Sequence, residues 1–114
     1  MITNRSGDHI ADFVLNSYHL EVLKLSHNQL QTSVGIKIAE NLKNSNVMIL
    51  DLSWNSLGAK RDGNFGKAFR LALANEKLKH ADLSYNSLIE KDMAYIAEAL
   101  KNNHTLWGFH VIGN

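Results

Sequence analysis

The chain has 114 residues, 45% hydrophobic and 20% charged, with 12 Lys and Arg set against 11 Asp and Glu. That composition excludes wholesale disorder, and the near-balance of charge gives no footprint for a nucleic-acid backbone or an anionic membrane. The lack of any cysteine excludes a disulfide scaffold and a thiolate metal site. No apolar run approaches the ~20 residues that span a bilayer, so a reduced, intracellular and cytoplasmic setting is the simplest fit.

In chain order, the first predicted element is a helix around Ile10-Ala11-Asp12-Phe13-Val14, followed by the apolar anchor Leu20. Next comes Leu23-Lys24-Leu25-Ser26-His27-Asn28, whose leucines alternate with period two and predict a short strand ending in a turn. Ile38-Ala39-Glu40-Asn41-Leu42 then predicts an amphipathic helix. The same cycle returns with Val47 and Leu50-Asp51-Leu52-Ser53-Trp54-Asn55, with a helix at Phe69-Arg70-Leu71-Ala72-Leu73. It returns again with Leu78, Ala81-Asp82-Leu83-Ser84-Tyr85-Asn86 and the helix Ile96-Ala97-Glu98-Ala99-Leu100. A weaker copy, Phe109-His110-Val111-Ile112-Gly113-Asn114, follows Leu106.

The period from Asn to Asn is 27, 31 and 28 residues. Such periodicity predicts a solenoid of strand, turn, helix and return loop. Cutting after each Asn gives four units, 1–28, 29–55, 56–86 and 87–114, within a single array. Ile2 then takes the place of Leu88, and the chain is expected to be an excerpt of a longer array, flanked by further repeats or by neighbouring subunits. Leucines two apart share one face of a strand and point inward. Alanines 39 and 97 are expected to let their helices approach the strand layer closely. The chain turns at each Asn, and a side-chain amide both donates and accepts. Asn28, Asn55, Asn86 and Asn114 are therefore expected to form a structural column that satisfies inward backbone groups.

The pattern Leu-x-x-Leu-x-Leu-Ser-x-Asn-x-Leu, with a full helix in each repeat, resembles the ribonuclease-inhibitor-like class of leucine-rich repeats over the whole chain. The resemblance implies an α/β solenoid, a curved horseshoe segment with its parallel sheet concave and its helices convex. It is similar to the arrays of ribonuclease inhibitor, Ran GTPase-activating protein, tropomodulin and innate-immune sensors. It implies another protein as partner, bound by the concave face or its bordering loops, and no shared catalytic residue. The last copy departs from the pattern at Val111-Ile112-Gly113, which leaves its status as a regular unit open.

Residues between the inward leucines are expected to face outward on the concave side, including Ser26, Ser53 and Ser84. Down that face runs the column Lys24, Asp51, Asp82 and His110, which fits a docking stripe for a basic segment and equally a solvated strand face. His27, Trp54 and Tyr85 form a ring column expected to stack internally, while Trp107 lies outside it as a freer contact candidate. Four extra residues fall in Gly58–Gly66, where Lys60, Arg61 and Phe65 suit a contact loop, though a functionless insertion fits as well. The phosphate-loop spacing is absent. The six histidines, at 9, 19, 27, 80, 104 and 110, show no zinc-type spacing, so neither metal nor cofactor is expected. Asn4-Arg5-Ser6 and Asn103-His104-Thr105 match the glycosylation triplet, a short pattern that an Asn-rich chain produces by chance.

The sequence therefore reads as a non-catalytic protein-interaction module or scaffold. One alternative is a regulatory surface for an enzyme, such as a GTPase-activating module. Another is a structural part of a large cytoskeletal or organelle assembly.

Overall fold

The computed structural model describes residues 9, 10, 12, 13 and 19–114. Ile2, Asn4, Ala11 and Val14, singled out above, lie outside the described residues, while residues 9, 10, 12 and 13 are helical. Four short strands, β1 (Val22–Lys24), β2 (Ile49–Asp51), β3 (His80–Asp82) and β4 (Gly108–His110), form one parallel sheet in chain order. Between them lie three helices, α1 (Thr32–Leu42), α2 (Asn64–Ala72) and α3 (Glu90–Lys101). The register repeats without slippage, so that Leu23, Leu50, Ala81 and Phe109 stand side by side. Pairing outlasts the formal strands: Leu25, Leu52 and Leu83 donate their N–H groups to Asp51, Asp82 and His110 at 2.8, 2.9 and 2.8 Å.

The core lies between the sheet and the helices. From the strands come Leu23, Leu25, Leu50, Leu52, Ala81 and Leu83, all buried. α1 meets them with Val34, Ile38 and Leu42, and α2 with Phe65, Phe69 and Ala72. Strands sit ~4.8 Å apart while packed helices need 8–10 Å, so the stack bends with the sheet on its concave side. Ala39 is buried as expected, but Ala97 is exposed, because α3 packs against α2 on one side only and Ala97 lies away from it.

The asparagine column supplies what the turns lack. The Asn55 amide donates to Leu25 O, Leu52 O and Ser53 O at 2.9, 3.0 and 3.2 Å, and its Oδ1 accepts from Asn28 N and Leu30 N, both at 3.0 Å. Asn86 repeats this toward Leu52 O, Leu83 O and Ser84 O, accepting from Leu57 N. Asn114 continues it, accepting from Asn86 N at 2.8 Å and Leu88 N at 3.1 Å. The last copy is thus a regular unit. Its glycine has a reason: His27, Trp54 and Tyr85 adopt left-handed φ values of 59°, 56° and 57°, and Gly113 follows at 73°. At that position any side chain costs roughly 1–2 kcal/mol. Stacked rings offset the cost in the first three copies, and glycine avoids it in the fourth.

A second, smaller asparagine device stands at the helix ends. Asn75 donates to Leu42 O and Ser45 O, at 2.9 and 2.8 Å, while Asn103 donates to Leu73 O at 2.8 Å. Ser45 does related work one repeat earlier, bonding Leu42 O and Val47 N. The Asn103 amide is therefore committed to the backbone.

Candidate protein-binding face

Residues of the three-residue strands that flank the inward positions do point outward. Val22 and Ile49 are exposed apolar side chains, Lys24 is exposed, and Asp51, His80 and Asp82 are half-buried. The outward expectation fails at Ser53 and Ser84, which are buried. By then the chain has left the strand and begun its turn, and the serine N–H turns back onto the preceding aspartate. Ser53 N and Oγ donate to Asp51 Oδ1 at 3.0 and 2.6 Å, and Ser84 N donates to Asp82 Oδ1 at 2.9 Å. Each aspartate thus braces its turn through Oδ1.

Lys24, Asp51, Asp82 and His110 occupy one row, each in register with the next. Beside that row the rings of His27, Trp54 and Tyr85 form a continuous stack, with centroids 5.3 and 4.0 Å apart and planes within 15°. Trp54 remains 50% exposed and Tyr85 40%, so the stack offers its edges to solvent as well as its faces to neighbours. Trp54, Tyr85, His80, Asp82 and His110 line a shallow recess of about 290 Å³ on this face. A recess of about 380 Å³ on the outer side, lined by Arg70, Leu73, Glu98 and Thr105, is the gap between the neighbouring helices α2 and α3.

The segment around the four extra residues is only partly a loop. Phe65 is not available as a contact residue: it lies in the first turn of α2, fully buried and stacked on Phe69 at 5.6 Å. Aromatic side chains four apart on a helix meet on one face, and here that face is the core. Lys60 and Arg61 are exposed, on a turn held by Lys60 N donating to Thr32 Oγ1 and by the left-handed Arg61 at φ 56°. Trp107, 85% exposed, stands just before β4, away from the ring stack. The structure thus gathers Lys24, Asp51, Asp82 and His110 on one face but sets Lys60, Arg61 and Trp107 apart from it.

Sequence reading missed one pairing: His80 and His110 meet with Nε2 atoms 3.1 Å apart. A search for spacing within one helix cannot find two residues that adjacent strands bring together. Among the described residues, no three His, Cys, Asp or Glu side chains cluster as a metal site, and no helix is long and apolar enough to cross a membrane.

Comparison with known proteins fits this geometry. A family model described as Leucine Rich repeat matches residues 16–39 and 43–60, which include β1, β2 and most of α1. The chain is a leucine-rich-repeat solenoid. The leucine-rich-repeat pattern also extends into known sequences and structures. Protein TORNADO 1 of Arabidopsis thaliana is 34% identical over 113 residues, which are 96% of this chain and 8% of that protein. A solved structure titled Leiomodin-1 Actin-Binding Site 2 (ABS2) superposes with a TM-score of 0.82 at 23% identity, covering 96% of this chain and 64% of that one. At that identity the likeness shows the shared repeat fold.

Proposed function

We propose that this leucine-rich-repeat chain is a non-catalytic protein-interaction module whose concave face takes a basic segment of its partner. One observation carries the reading. Asp51 and Asp82 stand directly in register on adjacent strands, both partly exposed, each with one oxygen spent on its own turn. Among the described residues no basic group pairs with either carboxylate. Two like charges about 5–6 Å apart near a surface repel by roughly 1–3 kcal/mol. An arginine or lysine laid across them removes that repulsion, and the exposed edges of Trp54 and Tyr85 supply the apolar and cation–π contact that favours such a side chain.

The repeat lengths of 27 to 31 residues and the helix in each of the last three units support the ribonuclease-inhibitor-like class as the subfamily. Lys60, Arg61 and Trp107 form a secondary rim in this proposal, suited to acidic or aromatic groups of the same partner. The leiomodin likeness makes actin one defined partner to include, together with a cytoplasmic, cytoskeleton-associated setting.

The test is a titration of the chain, carrying Trp107→Phe so that Trp54 is its one tryptophan, with an Arg/Lys-rich peptide and a neutral peptide of equal length, followed by fluorescence. The basic peptide is expected to bind, to weaken as salt rises, and to lose affinity by about tenfold or more in Asp51→Asn/Asp82→Asn. Equal binding of both peptides, or no effect of the double change, overturns the proposal.

A further inference from the structure

We infer that His80 and His110 together form a two-imidazole binding site for a divalent transition-metal ion of the zinc type, on the concave sheet face. The inference stands on the placement of the two rings and does not depend on the peptide-binding proposal. Their Nε2 atoms lie 3.1 Å apart, with ring centroids at 5.0 Å and planes tilted by 47°. Zinc binds imidazole nitrogen at about 2.0–2.1 Å, so two nitrogens on one ion at angles of 90–110° are separated by roughly 2.9–3.4 Å. The separation already matches that bite; in the metal-free chain the two rings share a hydrogen bond between these nitrogens, which an incoming ion would replace.

The fold builds this approach rather than merely permitting it. His80 faces Gly108 across the ladder, and a Cβ at position 108 would sit 2.6 Å from His80 Cδ2. Because glycine stands there, the His80 ring leans across β4 toward His110, two residues further along that strand. The neighbouring Asp82 and Asp51 add negative charge that favours a cation. Asp82 is not a third ligand, since among the described residues no group of three donors has the geometry to hold a metal. The ion therefore keeps water in its remaining positions, open toward the concave side. Imidazole pairs of this kind suit Zn²⁺, Ni²⁺ and Cu²⁺ in preference to Mg²⁺ or Ca²⁺, which take oxygen ligands.

The experiment uses the whole chain, treated with chelator and titrated with ZnCl₂. One saturable site per chain is expected, weakened by roughly tenfold or more in His80→Ala or in His110→Ala. His104→Ala, which removes a histidine of the return loop, is expected to bind as the unmodified chain does. Gly108→Ala keeps both imidazoles but displaces the His80 ring, so it too is expected to weaken binding. A measurement on the unmodified chain guards against a folding defect in the variants. Added Ni²⁺ should broaden the imidazole NMR signals of His80 and His110 before those of His27 and His104. Unchanged zinc binding in His80→Ala/His110→Ala, broadening that begins at other histidines, or no saturable binding up to about 1 mM zinc would each overturn the assignment.

Discussion

Replacing Asn86 by alanine tests whether the asparagine column holds the solenoid together. Asn86 is fully buried, and its amide donates to Leu52 O, Leu83 O and Ser84 O at 2.8, 3.1 and 3.2 Å while accepting from Leu57 N at 3.2 Å. Leu52, Leu57 and Leu83 around it are closed to water. Truncation therefore leaves the Leu57 N–H without its acceptor, at ~1–3 kcal/mol, while Leu52 O, Leu83 O and Ser84 O each lose one bond but keep a second donor in Asn55 Nδ2, Asn114 Nδ2 and Trp54 N. With the weaker loss at the carbonyls added, the expected cost is about 2–4 kcal/mol. Asn114 makes similar bonds at an exposed position, where water replaces the side chain, so Asn114→Ala is expected to cost under ~1 kcal/mol. Asn86→Asp is a sharper variant, because it keeps an acceptor for Leu57 N–H but sets a carboxylate against three carbonyl oxygens. Its loss should equal or exceed that of the alanine change. Urea unfolding followed by far-UV circular dichroism and by tryptophan fluorescence gives the differences, provided the two transitions coincide. An Asn86→Ala variant within ~0.5 kcal/mol of the unmodified chain, or no less stable than Asn114→Ala, would refute the reasoning.

Further predictions use the same unfolding assay. Phe65→Ala should cost ~3–5 kcal/mol as a buried aromatic truncation, whereas Lys60→Ala/Arg61→Ala should stay within about 0.5 kcal/mol; equal losses would contradict the burial of Phe65. Leu52→Ala should cost ~2–5 kcal/mol and Lys24→Ala under ~0.5 kcal/mol. Gly66→Ala places a Cβ 2.4 Å from the Asp92 backbone, where α2 and α3 touch, and should cost about 1–3 kcal/mol through overpacking. A neutral Gly66→Ala would show that the two helices can part without penalty.

Most of the fold is legible in the sequence because a repeat states each rule several times. Leu-x-Leu alternation placed the strands, and the Asn that ends each copy marked the turn. Single residues at the borders between elements were harder. Ser53 and Ser84 continue the alternating pattern, yet the backbone has already turned, and the pattern carries no sign of where pairing gives way to the turn. Gly58, Gly63 and Gly66 around Phe65 signal a loop. The i, i+4 spacing of Phe65 and Phe69 was the contrary signal, and burying two aromatic rings outweighs the weak helix propensity of Gly66. The second asparagine device was visible as Asn75-x-x-Leu78 and Asn103-x-x-Leu106, but with only two copies it did not stand out. Among the site residues, the row from Lys24 to His110 follows directly from the register. The meeting of His80 with His110 does not, since it depends on a ring leaning diagonally over Gly108.

The concave-face proposal is tested most directly by placing a photo-reactive residue at Ile49, beside the Asp51–Asp82 pair, and another at Glu40, exposed on the helical wall. Both would be introduced separately into the protein in its native cell and followed by mass spectrometry of the cross-linked products. The account predicts that the Ile49 probe captures a defined partner through a Lys- or Arg-rich segment, and that Asp51→Asn/Asp82→Asn abolishes this capture while the Glu40 probe stays silent. Capture by the Glu40 probe alone, unaffected by the aspartate changes, would place the binding face on the helices and contradict the account.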